Sequence, residues 1–353
     1  LVANYRSPTP LAMGDSLTPT HVAFFLPREY LEMGMSTFAG LEGLEGDVLV
    51  FGQGLRADFG YAGETVYHEF GHVVTNATAE LETIAIDEQG LTNLPRALDE
   101  GLANTFAFLG SDQSQLDRYL SDCLNVPGFD AENTDRFPDD LYGHPVADGN
   151  AILAANWDIY RSMLDEWGGT RADFIRVLLE TLIQLPRPLA GDAFSAYAST
   201  FLDVLEDNGW GGHLTSARVS FESRGVFEEA RVIDISGWGG SGSRRMFMYG
   251  ASTEPWNTVI HLDQPTGSVP VSTSYTQWMV SVPAGASSLE LSFLVSNRSG
   301  SMAPADQFDY QLLICADQPI RYDLGPDGRA TAAFDEQLIP EIEPRSDGTM
   351  TKW

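Results

Sequence analysis

The sequence predicts an α+β chain in two parts: helices packed with a small sheet over 1–228, then an all-β sandwich or jelly roll over 229–353. Three observations carry that expectation. Apolar residues recur three or four apart in long runs between residues 62 and 224, the period of a helix with one buried face. From about 229 the pattern changes to short β-rich runs separated by Gly, Pro, Ser and Asp. A length of 353 residues is enough for two separate cores.

Taken in order, residues 1–20 carry Pro8, Pro10 and Pro19 and read as chain wrapped over a surface. His21–Leu26 reads as a strand and Arg28–Met35 as a helix. Ser36–Gly40 and Asp47–Gly52 read as two strands joined by a Gly/Glu-rich turn. Residues 62–78 form a helix in which Val66, Phe70, Val73 and Ala77 mark the buried face. Pro95 opens the next helix, 95–109, and Gly110 ends it, since Pro is favoured at the first helical position and Gly just past the last. Further helices fit 113–123, 150–166, 170–184, 192–207 and 216–224. The β-rich runs are Arg231–Ile235, Met246–Tyr249, Thr258–Leu262, Gln277–Val282, Ser288–Val295 and Phe308–Cys315. Leu289, Leu291 and Phe293 alternate with Glu290 and Ser292, as a half-buried strand requires, and several such strands in series suggest a sandwich. The tail from Pro340 to Trp353 is polar.

The formal charge is −30, and Lys352 is the only lysine. Nucleic acid and anionic membrane surfaces would be repelled. No apolar run is long enough to span a bilayer. The chain opens Leu-Val-Ala-Asn, without Met or a charged-then-apolar leader, and reads as either a processed product or a trimmed piece, with any signal or pro-segment out of view. Cys123 and Cys315 are far apart and no C-x-x-C pair exists, so a thiolate metal site is excluded. One bridge between the halves and two separate thiols both remain open.

The stretch with the most chemistry is Tyr67-His68-Glu69-Phe70-Gly71-His72. Four residues make slightly more than one helical turn, so His68 and His72 project from one face and can share a zinc ion. Glu69 sits beside them, rotated by about 100°, where it can reach a water on the metal. Two histidines that are merely satisfied inside a buried helix are the plain alternative. A catalytic zinc needs a third ligand and an open position. Glu100, 28 residues after His72 and on the following helix, is the candidate.

On these residues the sequence resembles the thermolysin-like metallopeptidases and their fungalysin-like relatives, zincins whose third ligand is Glu. His72-Val73-Val74-Thr75-Asn76 and Asp99-Glu100-Gly101-Leu102-Ala103-Asn104 resemble that family's two metal helices. Ser36–Ala39 and Asp47–Gly54 resemble the strands before them, and Ser220–Val226 the closing helix. The resemblance implies a secreted zinc endopeptidase acting on protein or peptide substrates, with Glu69 as general base. It implies that His144 stabilises the oxyanion, that Asp139 five residues earlier orients it, and that Tyr142 is a second donor. It places Asn104 beside a zinc histidine, where the family usually has Asp. Trp278–Ala286 and Asp306–Tyr310 resemble the small sandwich domains of secreted bacterial peptidases. There Asp306 and Asp309 are candidate Ca²⁺ ligands or the carboxylates of a solvated turn. Two other functions fit the same residues: a non-catalytic binding or adhesin protein, and a metallo-exopeptidase.

Overall fold

A computed structural model describes residues 2–8, 17–19, 22–28, 46–81, 85–125, 128–234, 236, 260–264, 267–271, 275–282, 284–286, 292–295, 312–324, 330–333, 335–338 and 350–352. The chain divides into two compact units: residues 1–85 with 92–230, and residues 86–91 with 231–353.

The first unit is mainly helical. Among the described residues its sheet has four strands, β1 (Val2–Pro8), β2 (Leu17–Pro19), β3 (Ala23–Leu26) and β4 (Val48–Gly52), in the order β2-β1-β4-β3. β4 runs parallel to β1 and antiparallel to β3. Its Val48, Val50 and Phe51 are buried, as an inner strand of Val, Leu and Phe requires. A short turn at Phe59–Tyr61, capped by Asp58 Oδ1 accepting from the Gly60 N–H at 3.0 Å, leads into α1 (Gly63–Thr78). Residue 94 begins α2 (Leu94–Ser111), which has Pro95 in its first turn. α2 runs past Gly110, and Asp112, in the left-handed conformation at φ 59°, closes it.

Among the described residues the remaining α-helices are α3 (Arg118–Leu124), α4 (Pro145–Asp148), α5 (Asn150–Asp165), α6 (Arg171–Gln184), α7 (Ala193–Leu205) and α8 (Leu214–Ser223). α6 starts on a capping box: Thr170 Oγ1 accepts from the Asp173 N–H, and the Asp173 carboxylate accepts from the Thr170 N–H at 2.9 Å. Phe108, Trp157, Tyr160, Phe174, Phe201, Tyr197 and Phe221 form an unbroken series of ring contacts that joins α2, α5, α6, α7 and α8. His213 is stacked on Trp167, with centroids 4.7 Å apart.

One expectation for α1 is met only in part: Val66 packs against the buried cluster of Phe51, Ala57, Phe59, Ala62 and Leu120 and Val73 is half-buried, but the rest of the stripe faces outward. Phe70 is 51% exposed and Ala77 is exposed, while Thr65, Glu69, Gly71, His72 and Thr75 are buried. The inner face of this helix is polar, because it carries the side chains that converge on one site.

The second unit corrects the expected sandwich or jelly roll. Among the described residues its strands pair only two by two: β5 (Ala85–Asp87) with β6 (Gly90–Thr92), β7 (Val232–Asp234) with β10 (Gln277–Met279), β8 (Ile260–Gln264) with β9 (Gly267–Val271), β11 (Ser292–Val295) with β16 (Met350–Lys352), β12 (Leu312–Ile314) with β15 (Glu336–Leu338), and β13 (Arg321–Leu324) with β14 (Ala330–Ala333). Among the described residues these two-stranded ladders are not joined into larger sheets. Alternation in the sequence marks an extended segment, but a sandwich also needs each ladder to bond to the next. In this unit Arg231, 1% exposed, has its guanidinium on both Asp87 oxygens at 2.5 and 2.8 Å and on the Tyr275 carbonyl at 3.1 Å. The expected strands at Ser36–Gly40 and Met246–Tyr249, the helix at 29–35, and Asp306 and Asp309 lie outside the described residues. Among the described residues no helix is long and apolar enough to cross a membrane.

Candidate metal centre

The site is built between α1 and α2. His68 meets Asn104, while His72, one turn further along α1, meets Asp99, further back along α2. The two helices therefore run antiparallel. They also lie unusually close: a Cβ on Gly71 would stand 2.7 Å from the Ala103 Cα. Only glycine permits that approach.

Each imidazole is fixed through Nδ1. His68 Nδ1–H donates to Asn104 Oδ1 at 2.9 Å, and His72 Nδ1–H donates to Asp99 Oδ2 at 2.7 Å. Asp99 is itself held by the Thr75 hydroxyl, three residues after His72 on α1. Both Nε2 atoms then face inward, 3.1 Å apart. Glu100 Oε2 lies 3.4 Å from His68 Nε2 and 3.8 Å from His72 Nε2. Two nitrogen lone pairs and a carboxylate oxygen this close repel one another unless a cation, a proton or a metal ion, lies among them. A tetrahedral ion with bonds of about 2.0–2.1 Å spaces its ligand atoms about 3.3–3.4 Å apart. The observed spacings bracket that value, so the three atoms fit such an ion. Among the described residues this is the one group of three or more His, Cys, Asp and Glu side chains placed to hold a metal. His68 and Glu100 keep 16% and 20% of their side chains exposed, against 10% for His72, so solvent reaches the site from their side.

The electrostatics follow from burial and charge. Burial alone would lower the His72 pKa, but the adjacent Asp99 carboxylate outweighs it and holds the imidazolium at about 10. Burial would raise Glu100, but the hydrogen bond with His68 and the charges of both histidines hold it at about 2. His68 is shifted upward, with Glu100 prevailing over desolvation. Glu69, 5% exposed, is raised above the usual carboxylate range by burial, against the pull of His68 and His72. Asp117 is also raised by burial; its Oδ1 accepts from Thr65 Oγ1, one turn before Glu69, at 2.8 Å.

The structure thus gathers His68, His72, Glu100, Glu69 and Asn104. His144, Asp139 and Tyr142 stand outside the ligand group. His144 is the residue before α4. The Tyr142 N–H donates to Asp148 Oδ1. Asp139 is 64% exposed and pairs with Arg136 at 3.9 Å. Sequence reasoning missed Asp99 and Thr75. Only once α2 is known to lie antiparallel to α1 does the gap of five residues between Asp99 and Asn104 match the gap of four between His68 and His72.

Fold and site together define a mainly helical protein with a buried, zincin-like His-His-Glu cluster able to hold a metal. No protein-family model matches the chain, and no curated protein matches it. Because the strands of the second unit pair only two by two among the described residues, the expected thermolysin-like or fungalysin-like peptidase with a C-terminal sandwich is corrected to that coarser description.

Proposed function

We propose that this protein is a zinc-dependent endopeptidase. The observation that carries the reading is Glu69: a carboxylate 5% exposed, beside a His-His-Glu triad, with no hydrogen bond or ion pair among the described residues. A purely structural metal site has no use for such a group. Two His and one Glu with an open side are a donor set that peptidases use for catalytic zinc. Bound there, zinc supplies Lewis-acid polarisation of the scissile carbonyl and acidifies a water.

The chain's own residues do the rest. His68, His72 and Glu100 would hold the ion, and Asp99 and Asn104 fix the two rings through Nδ1 so that both Nε2 atoms are left to bind it. Glu69 takes the proton from the attacking water and passes it to the leaving amine. Its burial favours that exchange, since a raised pKa makes it a stronger base when ionised. His144 is the candidate donor to the developing oxyanion, with Tyr142 as a second. The test is casein hydrolysis by the zinc-loaded chain and by Glu69→Gln. The variant should keep its zinc and lose activity by about 10²–10⁴-fold. An unchanged rate would remove Glu69 from the reaction, and no hydrolysis by the parent would remove the peptidase reading.

A further inference from the structure

We infer that Asp148 is a positioning residue for His144, bracketing the loop that carries it onto the Glu100 helix; the catalytic part of this inference rests on the peptidase reading above. Asp148 is 4% exposed. Its Oδ1 accepts from the Tyr142 N–H at 2.5 Å and the Gly143 N–H at 3.2 Å, the two residues before His144. Its Oδ2 accepts from Asn93 Nδ2 at 3.4 Å.

Asn93 is the residue before α2 and is 3% exposed, yet its side chain does not cap that helix. Thr92 Oγ1 accepts the Leu94 N–H instead, at 3.2 Å. The Asn93 amide is thus left to reach across to Asp148. One buried carboxylate ties the chain just before His144 to the start of α2.

The next residue makes a second attachment. A Cβ on Gly101 would stand 2.5 Å from the Gly149 carbonyl oxygen, and one on Gly149 would stand 2.7 Å from the Gly101 nitrogen. The two backbones are in contact beside Glu100. Between the attachments, the His144 carbonyl accepts from the Ala147 and Asp148 N–H groups at 3.0 and 2.9 Å, which starts α4. Residues 142–149 are therefore pinned to the element that presents Glu100, at Asn93 and at Gly101, with His144 between.

The charge form matters as well as the shape. An amide at 148 could accept from the Tyr142 and Gly143 N–H groups, but its NH₂ would then oppose the Asn93 NH₂, donor against donor. Asp148→Asn should break the Asn93 link alone, and Asp148→Ala both links.

The experiment uses the full zinc-loaded chain with casein as substrate. Asp148→Ala should lower kcat by about 100-fold, the loss expected when a reacting group is misplaced by about 1 Å. KM and zinc content should stay within twofold of the parent. Adding Asp148→Ala to His144→Gln should slow the enzyme no further. Amide hydrogen exchange at Tyr142 and Gly143 should speed up, and the His144 ring resonances should shift, with Asp148→Asn showing a smaller version of both. Additive losses, lost zinc, or unchanged exchange and ring resonances would each overturn the assignment. If the parent does not cleave casein, the peptidase reading alone falls, and exchange with the His144 resonances still decides whether Asp148 positions that residue.

Discussion

The two histidines of the triad are held unequally. His72 is backed by the Asp99 carboxylate and His68 by the Asn104 amide. A carboxylate raises the basicity of the imidazole it orients, and outer partners of this kind are typically worth 10–100-fold in metal affinity. Asp99→Asn keeps an acceptor but removes the charge, and should weaken zinc retention by about 10–100-fold. Asn104→Asp should tighten it. Competition with a chromophoric chelator measures both, and equal affinities in all three proteins would make the backing charge irrelevant. The ligands were legible because His-Glu-x-x-His encodes its own geometry: one helix fixes how His68, Glu69 and His72 project. Glu100 was legible from its position on the next helix. Asp99 was not, because its role depends on how α2 packs against α1, and no spacing within one helix contains that.

Among the helices, α1 is where periodicity misled. Val66, Phe70, Val73 and Ala77 have the right spacing for a core stripe, but the helix buries Thr65, Glu69, His72 and Thr75. Hydrophobic periodicity assumes that the buried face is apolar, and a helix that delivers metal ligands inward breaks that assumption. α6 shows the opposite case, because its start at Arg171 follows directly from the Thr170–Asp173 capping pair. Two substitutions one residue apart test which face of α1 is buried. Phe70→Ala removes a large apolar side chain that is 51% exposed, and should change stability by no more than about 0.5 kcal/mol. Gly71→Ala adds one methyl where the Ala103 backbone leaves no room, and should destabilise by about 1–3 kcal/mol. It should also release zinc, by forcing α1 from α2. Urea unfolding and metal analysis of the pair give the comparison; a larger loss from Phe70→Ala would restore the apolar stripe as the buried face.

At the scale of the whole molecule, local and non-local information separate. Most helices of the first unit were legible because each is written in contiguous residues: the observed α5, α6, α7 and α8 begin within two residues of the expected positions, whereas α3 begins at Arg118 rather than 113 and the one-turn α4 was not expected. The second unit was misread because strand partners such as Ser292 and Lys352 are far apart in sequence, and alternation does not say which ladders join. The site couples to the stability of the whole chain through protons. In the metal-free protein His72 holds its proton up to about pH 10, well above the ordinary value of 6.5. That raised pKa contributes stability that is fully present below about pH 6.5 and is lost as pH rises through about 10. Zinc must displace the same proton, so its apparent affinity should rise with pH, by up to about tenfold per unit across that window. The two effects have opposite signs. The melting temperature of chelated protein should fall from pH 6.5 toward pH 9, while the gain from a fixed excess of zinc should grow. Calorimetry of both forms at each pH reads the difference directly. A gap that stays constant or narrows with rising pH would mean that zinc does not compete with the His72 proton, and that the three converging atoms are not where the ion sits.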